Sequence, residues 1–440
     1  LDEATRAKHS GDKWFASHLP DAVALPRNEK AVANILRFAF ENRIPLTARG
    51  AGYGYVGGCV PVKGGIALSL ARLNKIKEIH DRDFVAVVQP AVKTKRLQDA
   101  VEAKGMYYPP DPASLKECSL GGNISTNAGG PRCLKYGVTR SYVMGLEVVL
   151  ANGDILRTGS RCHKNKTGFD LPALFTGSEG LLGVITEATL RLIPHPERRA
   201  MLTATFDTFP AAANAVQVIL DSGHLPSALE ITDAFTLRAA RDYLGPAALP
   251  DGEAHLIVEI DGRDAAVTSE LAELESLLVR LKALDVEQHT DHSACELIWQ
   301  LRRDFSYSLR HTGLTKLNED IVVPRSKLVE LVEFAQDLQQ KTGIPIACFG
   351  HAGDGNIHTN LMVDNYEDPS IRKTADAALD LLFTWVLENR GVITGEHGVG
   401  LAKKPWIKHA LGDTSFQLHR ALKNTFDPKN ILNPGKFLDD

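Results

Sequence analysis

The 440-residue sequence has no closely paired cysteines, no long apolar run and no surplus of positive charge. Its six cysteines form no C-x-x-C pair, which excludes an iron–sulfur cluster or zinc knuckle and favours reduced thiols in a cytoplasmic protein. No apolar run approaches the ~20 residues of a membrane span, and the net charge of -4 argues against nucleic-acid binding. The first residues lack the apolar core of a secretory signal, and the start at Leu1 leads us to expect a natural N-terminus further upstream.

The residues that are present suit a globular protein of two or three domains, with 44% hydrophobic and 24% charged residues. An amphipathic helix is predicted over about Glu29–Asn42, and two glycine clusters follow it in the first half. Arg49–Gly58 contains five glycines between strands predicted over Ile44–Ala48 and Ile66–Leu70. Its N–H groups can line a phosphate or pyrophosphate, and a structural hairpin is the alternative. The strand that follows excludes the Rossmann and P-loop patterns, in which a helix follows. Small, hydroxyl and amide residues dominate the second cluster, Ser119–Gly130, which suits contact with an extended ligand.

After Pro196 the pattern alternates between strands and helices. Strands are predicted over Leu202–Phe206, Ser227–Thr232 and Ala254–Ile260, and helices over Phe209–Ser222 and Thr268–Leu284. This alternation predicts an α/β domain built on an antiparallel sheet. A further helix, Ala294–His311, places Arg302 and Ser306 one turn apart on one face, and Lys316 follows at the start of an extended segment. These three side chains could clamp a carboxylate, and a solvated basic surface is the alternative.

The most distinctive stretch is Cys348–Asn360, in which His351 and His358 flank a tight turn between two predicted strands. Neutral imidazoles suit zinc and other borderline metals, although an isolated histidine is more often a packed or surface residue. A short strand predicted over Val392–Thr394 leads into Gly395-Glu396-His397-Gly398, which adds a carboxylate and a third imidazole. Two histidines and Glu396 make three ligands with open positions, the pattern of a catalytic metal site, and His397 would then be the base. Asn360 shares the strand face of His358, and we expect it to contact the substrate.

Five motifs in the first half resemble those of the FAD-binding domain of the vanillyl-alcohol oxidase/PCMH flavoprotein family. They are R-G-x-G…G-G, P-D-P, S-x-G-G-N-x-x-x-N-A-G-G, K-Y-G and T-G-S-E-G-x-x-G, in this order over about Asp21–Pro194. The resemblance implies an α+β fold in which a two-subdomain PCMH-type domain binds FAD. The residues that it implies around the pyrophosphate are Arg49, Gly50, Ala51, Gly52, Tyr53, Gly54 and Gly57. Those implied along the flavin and its ribityl–adenosine arm are Pro110, Asp111, Gly121, Gly122, Asn123, Ser125, Ile185 and, near the C-terminus, Asn433. Tyr53 stands where members with covalent flavin usually carry histidine, so we predict non-covalent FAD.

G-H-x-G-D-G-N-x-H and G-E-H-G resemble the C-terminal domain of FAD-linked 2-hydroxy-acid dehydrogenases. That group includes the glycolate oxidase catalytic subunit, D-lactate dehydrogenases and D-2-hydroxyglutarate dehydrogenase. The resemblance implies a divalent metal at His351, His358 and Glu396, with zinc first and manganese or iron as alternatives, and His397 as the catalytic base. Arg302 and Lys316 match positions that hold the substrate carboxylate, and Ser306 stands where a related enzyme has threonine. The spacing from Ser306 to Lys316 is one residue shorter than in the hydroxyglutarate enzymes.

We therefore divide the chain into a PCMH-type FAD-binding domain at 1–195, an α/β cap domain with the antiparallel sheet and the metal site at 196–405, and a C-terminal segment at 406–440 that returns to the FAD domain. The predicted reaction is oxidation of a small D-2-hydroxy acid of the glycolate, D-lactate or D-2-hydroxyglutarate type to the 2-oxo acid. The metal lowers the pKa of the hydroxyl, His397 removes its proton, and the hydride passes to flavin N5.

The electron acceptor must be a separate molecule, because the chain lacks both iron–sulfur cysteines and a nicotinamide fingerprint. We expect this acceptor to be a protein, a quinone or an electron-transferring flavoprotein. The chain itself is expected to form a homodimer or a complex with further oxidase subunits. Its expected location is cytoplasmic, or peripheral to the membrane. Two alternatives stay open: a flavin oxidase that uses oxygen on alcohols or carbohydrates, and a non-catalytic electron-transfer subunit of a glycolate oxidase complex. The complete ligand set and His397 argue against both.

Overall fold

The computed structural model describes residues 2–438, which form an α+β fold. The strands are, in chain order, β1 (Ala22–Ala24), β2 (Leu46–Arg49), β3 (Ile66–Ser69), β4 (Ile76–His80), β5 (Val85–Val88), β6 (Met106–Tyr107), β7 (Val143–Val149), β8 (Ile155–Gly159), β9 (Val184–Arg191), β10 (Ile193–Pro194), β11 (Arg198–Phe206), β12 (Ala228–Asp233), β13 (Ala254–Gly262), β14 (Asp285–His289), β15 (Thr315–Val322), β16 (Ile346–His351) and β17 (Asn356–Val363).

The helices are α1 (Glu3–Ala7), α2 (Glu29–Asn42), α3 (Thr94–Glu102), α4 (Leu120–Thr126), α5 (Cys133–Tyr136), α6 (Leu171–Phe175), α7 (Phe209–Asp221), α8 (Ala234–Leu244), α9 (Asp264–Arg280), α10 (His292–His311), α11 (Leu328–Thr342), α12 (Pro369–Glu388), α13 (Lys404–Leu411) and α14 (Asp413–Phe426). Short 3-10 turns occupy Thr139–Tyr142, Pro246–Ala248 and Arg325–Lys327. No helix among residues 2–438 has the length and apolar character needed to cross a membrane.

Two compact units make up the described chain. The first contains the residues up to Gly129, Gly137–His195 and the segment from Glu396 onwards. The second contains Gly130–Tyr136 and Pro196–Gly395. The C-terminal return to the first unit thus starts at Glu396, whereas the predicted division kept residues up to 405 in the cap domain.

The first unit contains a parallel sheet in the order β1-β3-β2 and an antiparallel sheet in the order β4-β5-β9-β7-β8. Helix α2 begins and ends as its apolar periodicity predicted. The Asn28 side chain accepts from the N–H of Ala31 at 2.9 Å, and Arg43 ends the helix in the left-handed conformation. Its buried face, which includes Val32 and Leu36, packs in one cluster with Leu68 of the parallel sheet.

The second glycine cluster contains a helix that the sequence analysis did not predict. Leu120–Thr126 forms α4, and Asn127 ends it at a φ of 53°. Gly, Ser, Thr and Asn are weak helix formers, so local propensity predicts a loop and tertiary packing decides otherwise. The packing is close at Gly121, where an added Cβ would lie 2.4 Å from Pro90 Cβ.

The second unit is built on a seven-stranded antiparallel sheet in the order β14-β11-β13-β12-β16-β17-β15. The leucines of α9 that recur at helical spacing, among them Leu271, Leu274 and Leu278, are buried as the pattern predicted. The strand predicted at Val392–Thr394 was wrong: within the described residues only an isolated bridge joins Val392 to Val322. This sheet order makes β12, β16 and β17 neighbours, and these strands carry the histidines of interest.

Candidate active site

The two histidines of the distinctive stretch lie close together on adjacent strands. His351 ends β16 and His358 lies in β17, and their ring centroids are 5.6 Å apart at an interplanar angle of 78°. Both side chains are buried. The turn between them requires glycine at Gly355, because its φ is 83° and an added Cβ would lie 2.1 Å from the carbonyl oxygen of Val323. The sequence pattern therefore produces a buried pair of imidazoles.

A buried carboxylate on β12 contacts one of these histidines. Glu230 lies opposite His351 in the register of β12 and β16, and its Oε1 is 2.5 Å from His351 Nδ1. Its other oxygen, Oε2, accepts from Arg302 Nε at 2.6 Å. Burial alone would raise the pKa of Glu230, but His351 and Arg302 lower it to about 2. An ionised carboxylate only accepts hydrogen bonds, so Nδ1 of His351 is the donor to Glu230 and Nε2 is the ring nitrogen on the side away from this contact.

A cluster of cationic side chains lies beside this carboxylate. Lys316 Nζ donates to Ser306 Oγ at 2.8 Å, which brings together two residues predicted to act jointly. Burial, with repulsion from Arg310 and Arg302, lowers the pKa of Lys316 to about 7. Within residues 2–438 no carboxylate forms an ion pair with Lys316. A partly buried amino group that no carboxylate pairs with indicates a site for an anionic ligand rather than a solvated basic surface.

Asn360 is fully buried, and the sheet uses its amino group. Its Nδ2 donates to the carbonyl oxygens of Ala347 and His358, both at 3.0 Å. Its Oδ1 has no hydrogen-bond partner among the described residues. Any contact of Asn360 with a ligand is therefore confined to this acceptor oxygen.

The second unit ends beside the histidine hairpin. Gly395 donates its N–H to the carboxylate of Asp320 at 2.9 Å, and Asp320 pairs with His358 in the register of β15 and β17. An added Cβ on Gly395 would lie 2.6 Å from the side chain of Asn356, which itself pairs with His351. The chain is thus anchored next to the hairpin immediately before Glu396.

In the first unit, the loop that carries His397 is held at several points. The Glu179 carboxylate accepts from the N–H groups of Val399 at 2.7 Å and Gly400 at 2.9 Å. Burial raises the pKa of Glu179, and these two bonds oppose that shift. The His397 ring stacks on Tyr55, with centroids 5.3 Å apart. The proposed base thus lies against the first glycine loop.

That glycine loop contacts the second glycine cluster. The N–H of Ala51 donates to Ser119 Oγ at 3.2 Å, and an added Cβ on Gly50 would lie 2.6 Å from the same oxygen. Gly52 has a φ of 72°, and an added Cβ would lie 2.1 Å from the guanidinium of Arg49. Such close approaches of bare backbone are what a dinucleotide cradle requires. Arg49 itself donates to the carbonyl oxygen of Gly11 at 2.5 Å, so it also holds the N-terminal segment.

Other residues predicted to line the cofactor make protein contacts of their own. Asn123 Nδ2 donates to Thr94 Oγ1 at 2.7 Å, and Ser125 Oγ donates to the carbonyl oxygen of Gly121 at 2.8 Å. Asn433 Nδ2 donates to the carbonyl oxygens of Gly58 and Glu179 at 2.9 and 2.8 Å. The hydrogen bonds of these three side chains therefore stabilise the polypeptide around the predicted cofactor site. Among the remaining members of the set Gly54 is exposed, and the others are buried or partly buried: Tyr53, Gly57, Pro110, Asp111, Gly122 and Ile185.

Sequence reasoning missed Glu230, Glu179 and Asp320 as site residues. The signal for Glu230 was a carboxylate inside an otherwise apolar strand, because a fully buried glutamate is rarely unpaired. Glu179 lies in the T-G-S-E-G-x-x-G motif, but the sequence analysis assigned it no role. The partners of both residues are distant in the chain and could not be read locally.

Comparisons with known proteins cover both units. The family model "FAD linked oxidases, C-terminal domain" matches residues 195–437, and "FAD binding domain" matches residues 20–159. The glycolate oxidase subunit GlcD of Bacillus subtilis is 41% identical over 95% of this chain and 89% of its own length. A D-lactate dehydrogenase of Archaeoglobus fulgidus is 36% identical over 94% and 90%. The crystal structure of p-cresol methylhydroxylase with substrate bound shares the fold, with a TM-score of 0.81 and 19% identity over 100% of this chain and 93% of that one.

Proposed function

The chain belongs to the FAD-linked oxidases, and we propose that it oxidises a small D-2-hydroxy acid of the glycolate, D-lactate or D-2-hydroxyglutarate type to the 2-oxo acid with bound FAD. Relatives named glycolate oxidase subunit GlcD and D-lactate dehydrogenase, at 41% and 36% identity, support this reaction class. FAD, when bound between the two glycine clusters, would supply the acceptor for the hydride from C2 of the substrate.

One observation carries the assignment of the substrate chemistry. A single carboxylate, Glu230, contacts a histidine of the imidazole pair on one side and the Arg302 guanidinium on the other, at 2.5 and 2.6 Å. The proposed metal ligand His351 and the proposed carboxylate-binding residue Arg302 are therefore separated only by the Glu230 carboxylate, with one of them on each of its oxygens. A 2-hydroxy acid carries a hydroxyl and a carboxylate on adjacent carbons, which matches such a short spacing.

The donor set fits a divalent cation. His351 and His358 present two imidazoles side by side, and Glu396 follows Gly395, which is anchored beside them. We assign these three residues as ligands, with zinc as the first candidate and manganese or iron as alternatives. Such a cation would lower the pKa of the substrate hydroxyl.

The protein residues have separate tasks in this proposal. Arg302, Ser306 and Lys316 hold the substrate carboxylate and so orient C2, which is a large part of catalysis by positioning. His397, stacked on Tyr55, accepts the hydroxyl proton as general base. Asn360 contributes only its Oδ1 as an acceptor for the hydroxyl.

The cofactor is held by the two glycine clusters, and we propose that it is not covalently attached. No histidine stands in Arg49–Gly58, where Tyr53 occupies the middle of the loop. Electrons then leave to a separate acceptor protein or quinone. The subunit designation of GlcD is consistent with a complex of further oxidase subunits, cytoplasmic or peripheral to the membrane, although a homodimer is an alternative.

Anaerobic bleaching of the bound flavin tests the proposal directly. A panel of D- and L-hydroxy acids is mixed with the native protein in a stopped-flow instrument and flavin absorbance is followed. We expect reduction by at least one D-2-hydroxy acid, and loss of reduction with retained FAD in His397→Ala. Native reduction rates in His397→Ala would reject that residue as the base, and bleaching by simple alcohols alone would reject the substrate class.

A further inference from the structure

Glu230 forms hydrogen bonds with both proposed ligand-binding groups of the second unit, and its side chain is fully buried on β12. Its two oxygens are used separately, Oε1 by His351 and Oε2 by Arg302. The three residues come from β16, β12 and α10. Each contact is therefore tertiary, and neither has a local structural purpose such as capping a helix.

We infer that Glu230 is a positioning residue that orients the metal ligand His351 and the carboxylate-binding Arg302 together, an inference that rests on the proposed function. The carboxylate holds the Nδ1–H of His351, so that Nε2 is presented to the metal. A histidine ligand whose other nitrogen donates to a carboxylate is a stronger and better oriented ligand.

The same carboxylate also sets the orientation of the guanidinium. Arg302 uses Nε for Glu230, and its guanidinium carbon lies 4.7 Å from the centre of the Phe349 ring. With Nε and one face of the group engaged, the two terminal amino groups are left to bind a carboxylate. Among residues 2–438 these amino groups form no hydrogen bond or ion pair.

A shared carboxylate makes the two binding events interdependent. An anion bound at Arg302 draws positive charge away from Glu230, which strengthens the pull of Glu230 on the His351 Nδ1–H and makes Nε2 a better donor. A metal on Nε2 in turn draws Glu230 towards His351. Metal and substrate carboxylate therefore favour each other's binding, and this coupling is reciprocal.

The test measures zinc affinity of the FAD-loaded, full-length protein by competition with a chromophoric chelator, without turnover. Glu230→Gln keeps the shape but cannot accept at both positions. We expect its zinc affinity to fall 10–100-fold, as for other carboxylate partners of metal-bound histidines. The matched control is Glu259→Gln, because Glu259 is equally buried in the same sheet but pairs with Arg132 and Trp299. The control should keep native zinc affinity even if it is less stable.

A second measurement separates positioning from simple loss of packing. The affinity for an unreactive 2-oxo acid is read from the flavin spectrum with and without zinc. Arg302→Met should lose carboxylate affinity and keep or raise zinc affinity, whereas Glu230→Gln should weaken both. The enhancement of carboxylate binding by zinc should also shrink at least fivefold in Glu230→Gln.

Native zinc affinity in Glu230→Gln overturns the inference and leaves the proposed reaction intact. Equal losses of zinc affinity in Glu230→Gln and Glu259→Gln also overturn it, because a general stability effect would then explain them. Absence of zinc binding by the native protein overturns the metal site itself and the inference with it. Flavin bleaching by a hydroxy acid tells these failures apart from failure of the proposed reaction.

Discussion

Removal of the Glu179 carboxylate should release the loop that carries His397. The carboxylate accepts from the N–H groups of Val399 and Gly400 at 2.7 and 2.9 Å, and both of those residues are buried. Glu179→Ala leaves these two donors without an acceptor. The nearest atoms to a Cβ added at Gly398 also belong to Glu179, so the substitution opens space beside the loop.

The cost follows from the two bonds. A buried donor that loses its partner costs ~1–3 kcal/mol. Because Glu179 is only partly buried, we take the lower half of that range, which gives about 2–4 kcal/mol for both bonds. A rate changes tenfold for about 1.4 kcal/mol. We expect kcat to fall at least tenfold, while KM changes little, because Arg302 and Lys316 are not held by Glu179.

Anaerobic stopped-flow measurement of flavin reduction is the assay, with thermal unfolding measured in parallel. Glu179→Gln retains one acceptor oxygen and should lose about half as much stability. The control is Glu147→Gln, which removes a buried carboxylate of the first unit that pairs with Arg157 and Thr186. Its flavin reduction should stay at the native rate. A native rate in Glu179→Ala would refute the reasoning.

The other predictions concern the metal, the flavin and the pH dependence. Dialysis against a chelator should abolish flavin reduction while FAD stays bound. Added zinc or manganese should restore the reduction in the native protein but not in His358→Asn. Activity that survives metal removal, checked by elemental analysis, would contradict the metal site. Acid precipitation should leave the yellow chromophore in the supernatant, and flavin retained on the pellet would show covalent attachment. Because the pKa of Lys316 is lowered to about 7, its ammonium is lost as pH rises through 7, so carboxylate affinity should weaken by up to tenfold per pH unit above 7. Lys316→Arg stays charged and should remove this step, and an unchanged pH profile in that variant would assign the step to another group.

Local pattern predicted many of the secondary structure elements. Helix α2 has the bounds that its apolar periodicity predicts, and it starts at Asn28, a residue type that favours helix caps. The hairpin of β7 and β8 turns at Asn152-Gly153, a dipeptide that favours such turns. The exceptions are informative. Helix α4 consists largely of weak helix formers and forms because it packs against the first glycine loop and Pro90. The strand predicted at Val392–Thr394 is reduced to one bridge, because the chain there turns to anchor Gly395 on Asp320.

The chemistry of the candidate site was partly readable for a different reason. The residue type alone specifies whether an imidazole, a carboxylate or a bare backbone is available. The spacing of His351 and His358 about a turn was therefore enough to identify them as candidates for metal binding. The interpretation of Arg302 needed the fold. Sequence left a carboxylate clamp and a solvated basic surface as alternatives, and burial beside Glu230 and Lys316 favours the clamp.

By itself, the sequence determined which groups are available and how the chain bends near them: glycines where φ is positive or backbone must approach closely, and two histidines across a tight turn. Only the tertiary structure decided which groups act together. Glu230 is 121 residues from His351 and 72 from Arg302 along the chain. They meet because β12 pairs with β16 and α10 brings Arg302 to the same carboxylate. Strand order and long-range packing set such contacts, and no local period or spacing encodes them.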